Sequence, residues 1–257
     1  MIINGEILAH FDIGKTAEIA QFIQEYPDGI DVSGLLGTEE EYRAVWMMLL
    51  DMGWKEHLGR AIRAGLLPMR LPHNMQNVDL SFADLRKTDL WGIDLSHANL
   101  REAKLGEAHV QFGNLRNAYL YFASLEGTQL HRADLSGANL FGANLYHVKL
   151  QGACLKGANL AKAQICLAEM QEADLTGAVL TGASMRASDM RKACLAGADL
   201  REVDLTDSDL RGTDLSGATL EETILLGALV NKTTNWPEGF DPAAKDNSLV
   251  IEREKKL

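Results

Sequence analysis

A five-residue period constrains this chain more than any other feature. From Leu80 to Val230 every fifth residue is apolar, which gives 31 consecutive positions in one register, and 25 of them are Leu. Two residues before each position stands a small side chain, which is Ala in 20 of the 31 cases. The residue between them is often Asp or Asn, as in ADLSGANLFGANL. An internal repeat of this length decides the fold class before local propensities are considered.

Neither regular secondary structure accommodates this period. An α-helix repeats every 3.6 residues and would distribute the leucines around its whole surface, whereas a strand repeats every two and would send alternate leucines to opposite faces. If each five-residue unit forms one short side and ends in a turn, every Leu points inward. The sequence therefore predicts a coiled chain whose stacked coils bury a continuous leucine column.

The motif A-(D/N)-L-x-x over residues 76–230 resembles that of the pentapeptide-repeat family. The resemblance implies a mainly β fold, a right-handed quadrilateral β-helix with four repeats per coil and about eight coils. The Leu and the small residue two before it would point inward, and the other three positions outward. At one strand spacing per coil, the rod would be roughly 37 Å long. Members that protect gyrase often carry a loop insertion, and these 31 repeats contain none.

The chain ends lack the period and are expected to cap the rod. Residues 1–75 have apolar residues at helical spacing, which predicts a small α-helical domain with helices over 17–26, 39–52 and 55–64. Residues 231–257 are expected to form a C-terminal capping tail. The first residues and the segment NWPEGFDP of this tail resemble the ends of cyanobacterial members of the family.

Outward positions become apolar near the C-terminal end of the repeats, at Ile224, Leu226 and Leu229. One interpretation is that Trp236 and Phe240 of the tail fold back over them, because chain ends near an exposed edge are usually held locally. The alternative is that this end of the β-helix forms a homodimer contact.

The overall charge narrows the classes of partner. A formal net charge of −11 argues against direct binding of nucleic acid and against docking on an anionic membrane. No apolar run is long enough to span a membrane. Three cysteines, Cys154, Cys166 and Cys194, and a start without basic residues favour a reducing, cytoplasmic location.

The sequence offers little that could carry catalysis. Gly14, Lys15 and Thr16 match a loose phosphate-loop pattern, but the buried strand and the βα sheet that such a loop needs are not predicted around it. The histidines of the repeats fall on different sides or in different coils, so no metal site is expected. These are His97, His109, His131 and His147. We therefore expect a protein that is not an enzyme and holds no cofactor.

An aromatic group marks one candidate contact surface. Tyr121 and Phe141 occupy the same outward position in adjacent coils, and Tyr119 and Tyr146 lie close by in the register. Exposed aromatic residues on a flat face favour a protein contact. Plain cross-strand stacking, which stabilises a sheet without any partner, explains the same pattern.

A second candidate surface is acidic. Residues 76–165 carry 9 basic and 8 acidic residues, net +1, whereas residues 166–230 carry 5 basic and 12 acidic residues, net −7. The candidate face consists of Glu169, Asp189, Asp199, Asp204, Asp207, Asp209 and Asp214. Resemblance to MfpA-type and Qnr-type proteins implies that such a face mimics DNA. However, Asp before the Leu belongs to the family consensus, so acidity accumulates without this function.

These observations lead to one functional prediction and one alternative. The prediction is a non-enzymatic scaffold or adaptor that binds an unidentified protein partner through the outer faces of its β-helix. The alternative is a DNA mimic that binds a type II topoisomerase, gyrase, and modulates or protects it. Because one fold serves many partners, the fold by itself does not choose between them.

Overall fold

The computed structural model describes residues 2–3, 30–31, 47, 50, 71–242 and 250–251. The predicted helices over 17–26 and 55–64 and the phosphate-loop pattern at Gly14 to Thr16 lie outside the described residues.

Two features are described within residues 1–70. Met47 and Leu50, within the predicted helix over 39–52, both have helical conformation, and Leu50 is buried in the same core as the first coil. Strand β1 (Ile2–Ile3) pairs antiparallel with strand β2 (Ile30–Asp31). The helical periodicity of this region did not predict that strand pair.

The repeats coil into a four-sided β-helix: the period predicted the coil, and the family resemblance implied its four sides. Parallel bridges join residues that are twenty apart, as in the series Asp79, Asn99 and Tyr119, and they begin at Asn74. The last bridge, from Asp214 to Asn235, joins residues 21 apart. Face 1 carries the central residue 80 and every twentieth residue after it. Faces 2, 3 and 4 carry the central residues that begin at 85, 90 and 95.

Each corner of the coil is a tight turn. In the turn of Leu80 to Ala83, the Ala83 N–H donates to the Leu80 carbonyl over 3.1 Å, and Phe82 has a φ of 61°. A positive φ at the third residue defines a type II turn, and this position is left-handed at every fifth residue from Asn77 to Gly227. At 19 of these corners the residue is not glycine, although this conformation costs about 1–2 kcal/mol for other residues. The stacking of the coils therefore offsets the unfavourable backbone conformation at the corners.

The interior is filled by the two inward positions of every repeat. Central residues such as Leu120 and Leu140, and small ones such as Ala138, have no exposed surface. Where Thr replaces Ala, its hydroxyl is satisfied: Thr128 Oγ1 donates to the Leu105 carbonyl over 2.8 Å. Because a buried hydroxyl without a partner is costly, this bond explains why Thr is tolerated inside.

The chain's own tail closes part of the C-terminal end. Strand β3 (Leu229–Val230) pairs parallel with strand β4 (Val250–Ile251), which continues the ladder of face 3. Trp236 and Phe240 stack with ring centroids 5.1 Å apart and pack against the core.

The outward apolar residues of this end have different surroundings. Leu229 is partly buried within β3, but Ile224 and Leu226 on face 2 stay 46% and 51% exposed. The described part of the tail therefore does not fold back over all three residues, and this prediction is wrong for Ile224 and Leu226.

Candidate functional site

The outward positions of face 1 gather five aromatic rings within four adjacent coils. These are Phe82, Tyr119, Tyr121, Phe122 and Phe141. Phe82, Tyr119 and Phe122 are 45%, 51% and 55% exposed, whereas Tyr121 and Phe141 are half-buried. Rings that are twenty residues apart in sequence come to lie one coil apart in space, because the backbone bridges repeat at that interval.

Phe122 connects the rings of two coils. Its ring centroid lies 6.1 Å from that of Tyr121 and 5.7 Å from that of Phe141, with an edge-on geometry in both pairs. Edge-to-face pairs of this kind contribute about 0.5–1.5 kcal/mol beyond the area they bury. The ring also depends on Gly142 in the next coil, because a Cβ at that position would lie 2.5 Å from it.

Two cations complete the row of rings. The Arg101 guanidinium lies 5.7 Å from the Phe82 ring and 5.2 Å from the Tyr121 ring, and Lys162 Nζ lies 5.8 Å from the Phe141 ring. These are cation–π distances. The aromatic ladder, as we name it, therefore consists of Phe82, Arg101, Tyr121, Phe122, Phe141 and Lys162.

The structure brings together three of the four aromatic residues predicted from the sequence. Tyr119, Tyr121 and Phe141 share face 1, whereas Tyr146 lies on face 2, where its ring packs 4.5 Å from that of His147. Sequence reasoning missed Phe82 and Phe122. Both stand at the left-handed corner position, forty residues apart, so the twenty-residue interval was the signal that could have found them.

The candidate acidic residues do not form one surface. Glu169, Asp189 and Asp209 lie on face 3, but Asp199 lies on face 1, Asp204 and Asp207 on face 2, and Asp214 on face 4, as the ladder pairings show. Three of these carboxylates also bind an arginine two residues later, at 2.6 Å in each pair: Asp189 with Arg191, Asp199 with Arg201 and Asp209 with Arg211. This arrangement divides and partly neutralises the acidic charge.

The Asp199 carboxylate is held in its charged form. Hydrogen bonds from the Arg201 side chain outweigh burial and, together with the Arg201 backbone N–H and Thr181, lower the pKa of Asp199 to about 2. A group whose folded pKa is lowered adds stability above its unfolded pKa and loses it as the pH falls through the folded value.

We expect Asp199→Asn to lower the free energy of unfolding by about 1–2 kcal/mol at pH 7, a range reduced for screening because the Arg201 side chain is half exposed. The difference from the unmodified protein should shrink between about pH 5 and pH 2. Urea unfolding at several pH values measures it. Thr219→Asn, at the same ladder position one coil on, is the control and should show no such pH dependence. A difference for Asp199→Asn that stays constant down to pH 2 would contradict this account.

The other polar groups of residues 71–242 are distributed over the faces of the coil. Within residues 71–242 no three His, Cys, Asp or Glu side chains are placed to hold a metal ion. Cys154 and Cys194 lie two coils apart on face 4, with Asp174 between them in the ladder. A depression of about 890 Å³ on face 2 contains Lys87 and Glu107, which pair with each other at 3.3 Å. No helix among the described residues is long and apolar enough to cross a membrane.

Comparisons with known proteins agree with this architecture. The family model for pentapeptide repeats matches residues 74–111, 114–152, 123–161, 168–207 and 198–233, with eight copies. No curated protein sequence matches significantly.

Several solved structures are similar. HetL, a pentapeptide repeat protein involved in heterocyst differentiation regulation from the cyanobacterium Nostoc sp. strain PCC 7120, is 28% identical, with 70% of this chain and 89% of HetL covered and a TM-score of 0.39. Full-length QnrB1, a plasmid-mediated fluoroquinolone resistance protein, is 15% identical, with 70% of this chain and 84% of QnrB1 covered and a TM-score of 0.45. Rfr23, a pentapeptide repeat protein from the cyanobacterium Cyanothece 51142, is 20% identical, with 70% of this chain and 99% of Rfr23 covered and a TM-score of 0.24. Since the family model covers more than half of its residues, this chain belongs to the pentapeptide-repeat family, whose members fold as right-handed β-helices.

Proposed function

We propose that the chain is a non-enzymatic protein-binding scaffold and that the aromatic ladder of face 1, together with Tyr119, is its contact surface. The observation that carries the proposal is the exposure of Phe82, Tyr119 and Phe122 on one face. Ring stacking accounts for Tyr121 and Phe141, which are less exposed. It does not explain why Phe82, Tyr119 and Phe122 keep 45–55% of their surface in water. Contiguous exposed apolar surface is typical of interaction sites, and aromatic residues and Arg dominate binding energy there.

A smaller aromatic pair lies on face 3 and provides an internal comparison. Trp91 and Phe112 are 50% and 51% exposed, with ring centroids 5.8 Å apart. With Arg132, whose guanidinium lies 6.0 Å from the Phe112 ring, this group spans three coils, whereas the aromatic ladder with its two cations spans five. Because hot spots cluster at the centre of a larger contact area, face 1 is the better candidate.

We further propose that the residues before Asn74, where the ladder begins, form a mainly α-helical cap on the first coil. The helical conformation of Met47 and Leu50 and the burial of Leu50 with Leu71 and Met75 support this role. A solenoid needs such a cap, since its terminal coil would otherwise expose apolar side chains.

The alternative, DNA mimicry toward gyrase, has less support from the charges. A mimic needs a continuous run of unpaired carboxylates, but the acidic residues divide among four faces and three of them bind arginines. Gyrase supercoiling in the presence of excess protein tests it directly, and we expect no change in rate.

Photo-cross-linking tests the proposed contact face. Benzoylphenylalanine in place of Tyr119 should yield a covalent adduct with a partner protein in cells of the source organism. The matched control places the same group at Thr176, an exposed position on face 4. Adducts from position 119 alone support the proposal, whereas adducts only from position 176, or from neither position, would refute it.

A further inference from the structure

We infer that the aromatic ladder binds an extended acidic segment of its partner protein, in which two carboxylates four residues apart flank an apolar side chain. This inference rests on the proposed function and specifies the chemistry of the partner.

The two cations of the ladder favour carboxylates as binding partners. Within residues 71–242 Lys162 has no carboxylate at ion-pair distance, and Arg101 has one, Glu102, at 3.0 Å. Both cations are already oriented by the rings beneath them. Because this orientation does not have to be fixed again on binding, Lys162 can accept an anion at low entropic cost. Arg101 can do so through its terminal nitrogens, since its bond to Glu102 uses Nε.

The spacing of the cations defines the length of the segment. Arg101 and Lys162 belong to coils three steps apart, which separates their backbones by about 14 Å along the rod. In an extended peptide, residues four apart are separated by about 13 Å. Residues at i, i+2 and i+4 of such a peptide also point to the same side. The carboxylates at both ends would therefore meet the two cations while the middle side chain lies on Phe122.

The distribution of charge along the rod also favours an acidic segment at the ladder. The N-terminal part of the repeats, residues 76–165, has a net charge of +1, and residues 166–230 have a net charge of −7. An acidic segment is repelled from the C-terminal coils and much less from the nearly neutral N-terminal part, which contains the ladder. Such asymmetry guides association before contact, and added salt weakens it.

A peptide array tests the inference with a defined probe. Labelled full-length protein is applied to immobilised peptides of the pattern Asp-Ser-Leu-Ser-Asp, with the two carboxylates placed two, four or six residues apart, and to the same peptides with Lys in place of Asp. We expect the strongest binding at a spacing of four, and binding about tenfold weaker for the Lys peptides.

Charge reversal supplies the decisive comparison. The variant Arg101→Glu/Lys162→Glu should reverse the preference from Asp to Lys peptides, whereas Lys149→Glu/Lys192→Glu, the same charge change on face 3, should leave it intact. If the first variant keeps the acidic preference, or if no spacing is preferred, the inference is wrong. Adducts from position 119 would still support the proposed contact face in that case, so the two failures are distinguishable.

Discussion

Leu140→Asp should abolish the native β-helix at room temperature. Leu140 has no exposed surface and lies between Leu120 and Leu160 of the neighbouring coils on face 1. The change removes about 1.5–3 kcal/mol of apolar burial. It also places a carboxylate without a partner in the column, which costs several kcal/mol more. Together these effects approach the roughly 5–15 kcal/mol that stabilises a typical domain.

The central position of Leu140 in the leucine column increases the loss of stability. In a solenoid each coil is stabilised mainly by its neighbours, so one disrupted coil leaves two shorter stacks with uncapped ends. Circular dichroism and urea unfolding measure the loss. Asn139→Asp adds the same charge one residue earlier on the outward side and should change stability by less than about 0.5 kcal/mol. An unfolding midpoint for Leu140→Asp equal to that of Asn139→Asp would contradict the buried-column structure.

The core of this fold could be predicted because its period is strict. With every fifth residue apolar, the inward position of residues such as Leu140 follows from the period, and the family resemblance implied that small residues such as Ala138 also point inward. The left-handed corners were not predictable in the same way, because residues as different as Phe82 and Gly142 occupy the same turn position. The corner is imposed by the stacking of coils and not by local preference, which is why glycine is not required there.

The chain ends show the limit of sequence periodicity. The pairing of Leu229 with Val250 joins a repeat to an aperiodic tail, and no local pattern indicates such a partner. Similarly, Tyr146 is close to Phe141 in sequence, but five residues lead to the next face of the coil. The twenty-residue interval predicts the candidate site only when it is applied to all three outward positions of each repeat. Applied in that way, it would have added Phe122.

Phe122→Ala/Phe141→Ala should weaken binding of the protein partner by about 30-fold or more. Truncation of a central aromatic hot spot costs 2 kcal/mol or more, and 1.4 kcal/mol corresponds to a tenfold change in Kd. Both substitutions remove outward rings and leave the inward column untouched. The native circular dichroism spectrum should therefore be retained, which separates loss of binding from loss of folding.

Calorimetric titration of the partner identified by cross-linking tests the central claim most directly. The matched control is Trp91→Ala/Phe112→Ala, which removes two exposed rings from face 3. We predict that the face 1 variant binds about 30-fold or more weakly, whereas the face 3 variant stays within about threefold of the unmodified protein. Equal losses from both faces, or a loss from face 3 alone, would contradict the assignment of the aromatic ladder as the binding surface.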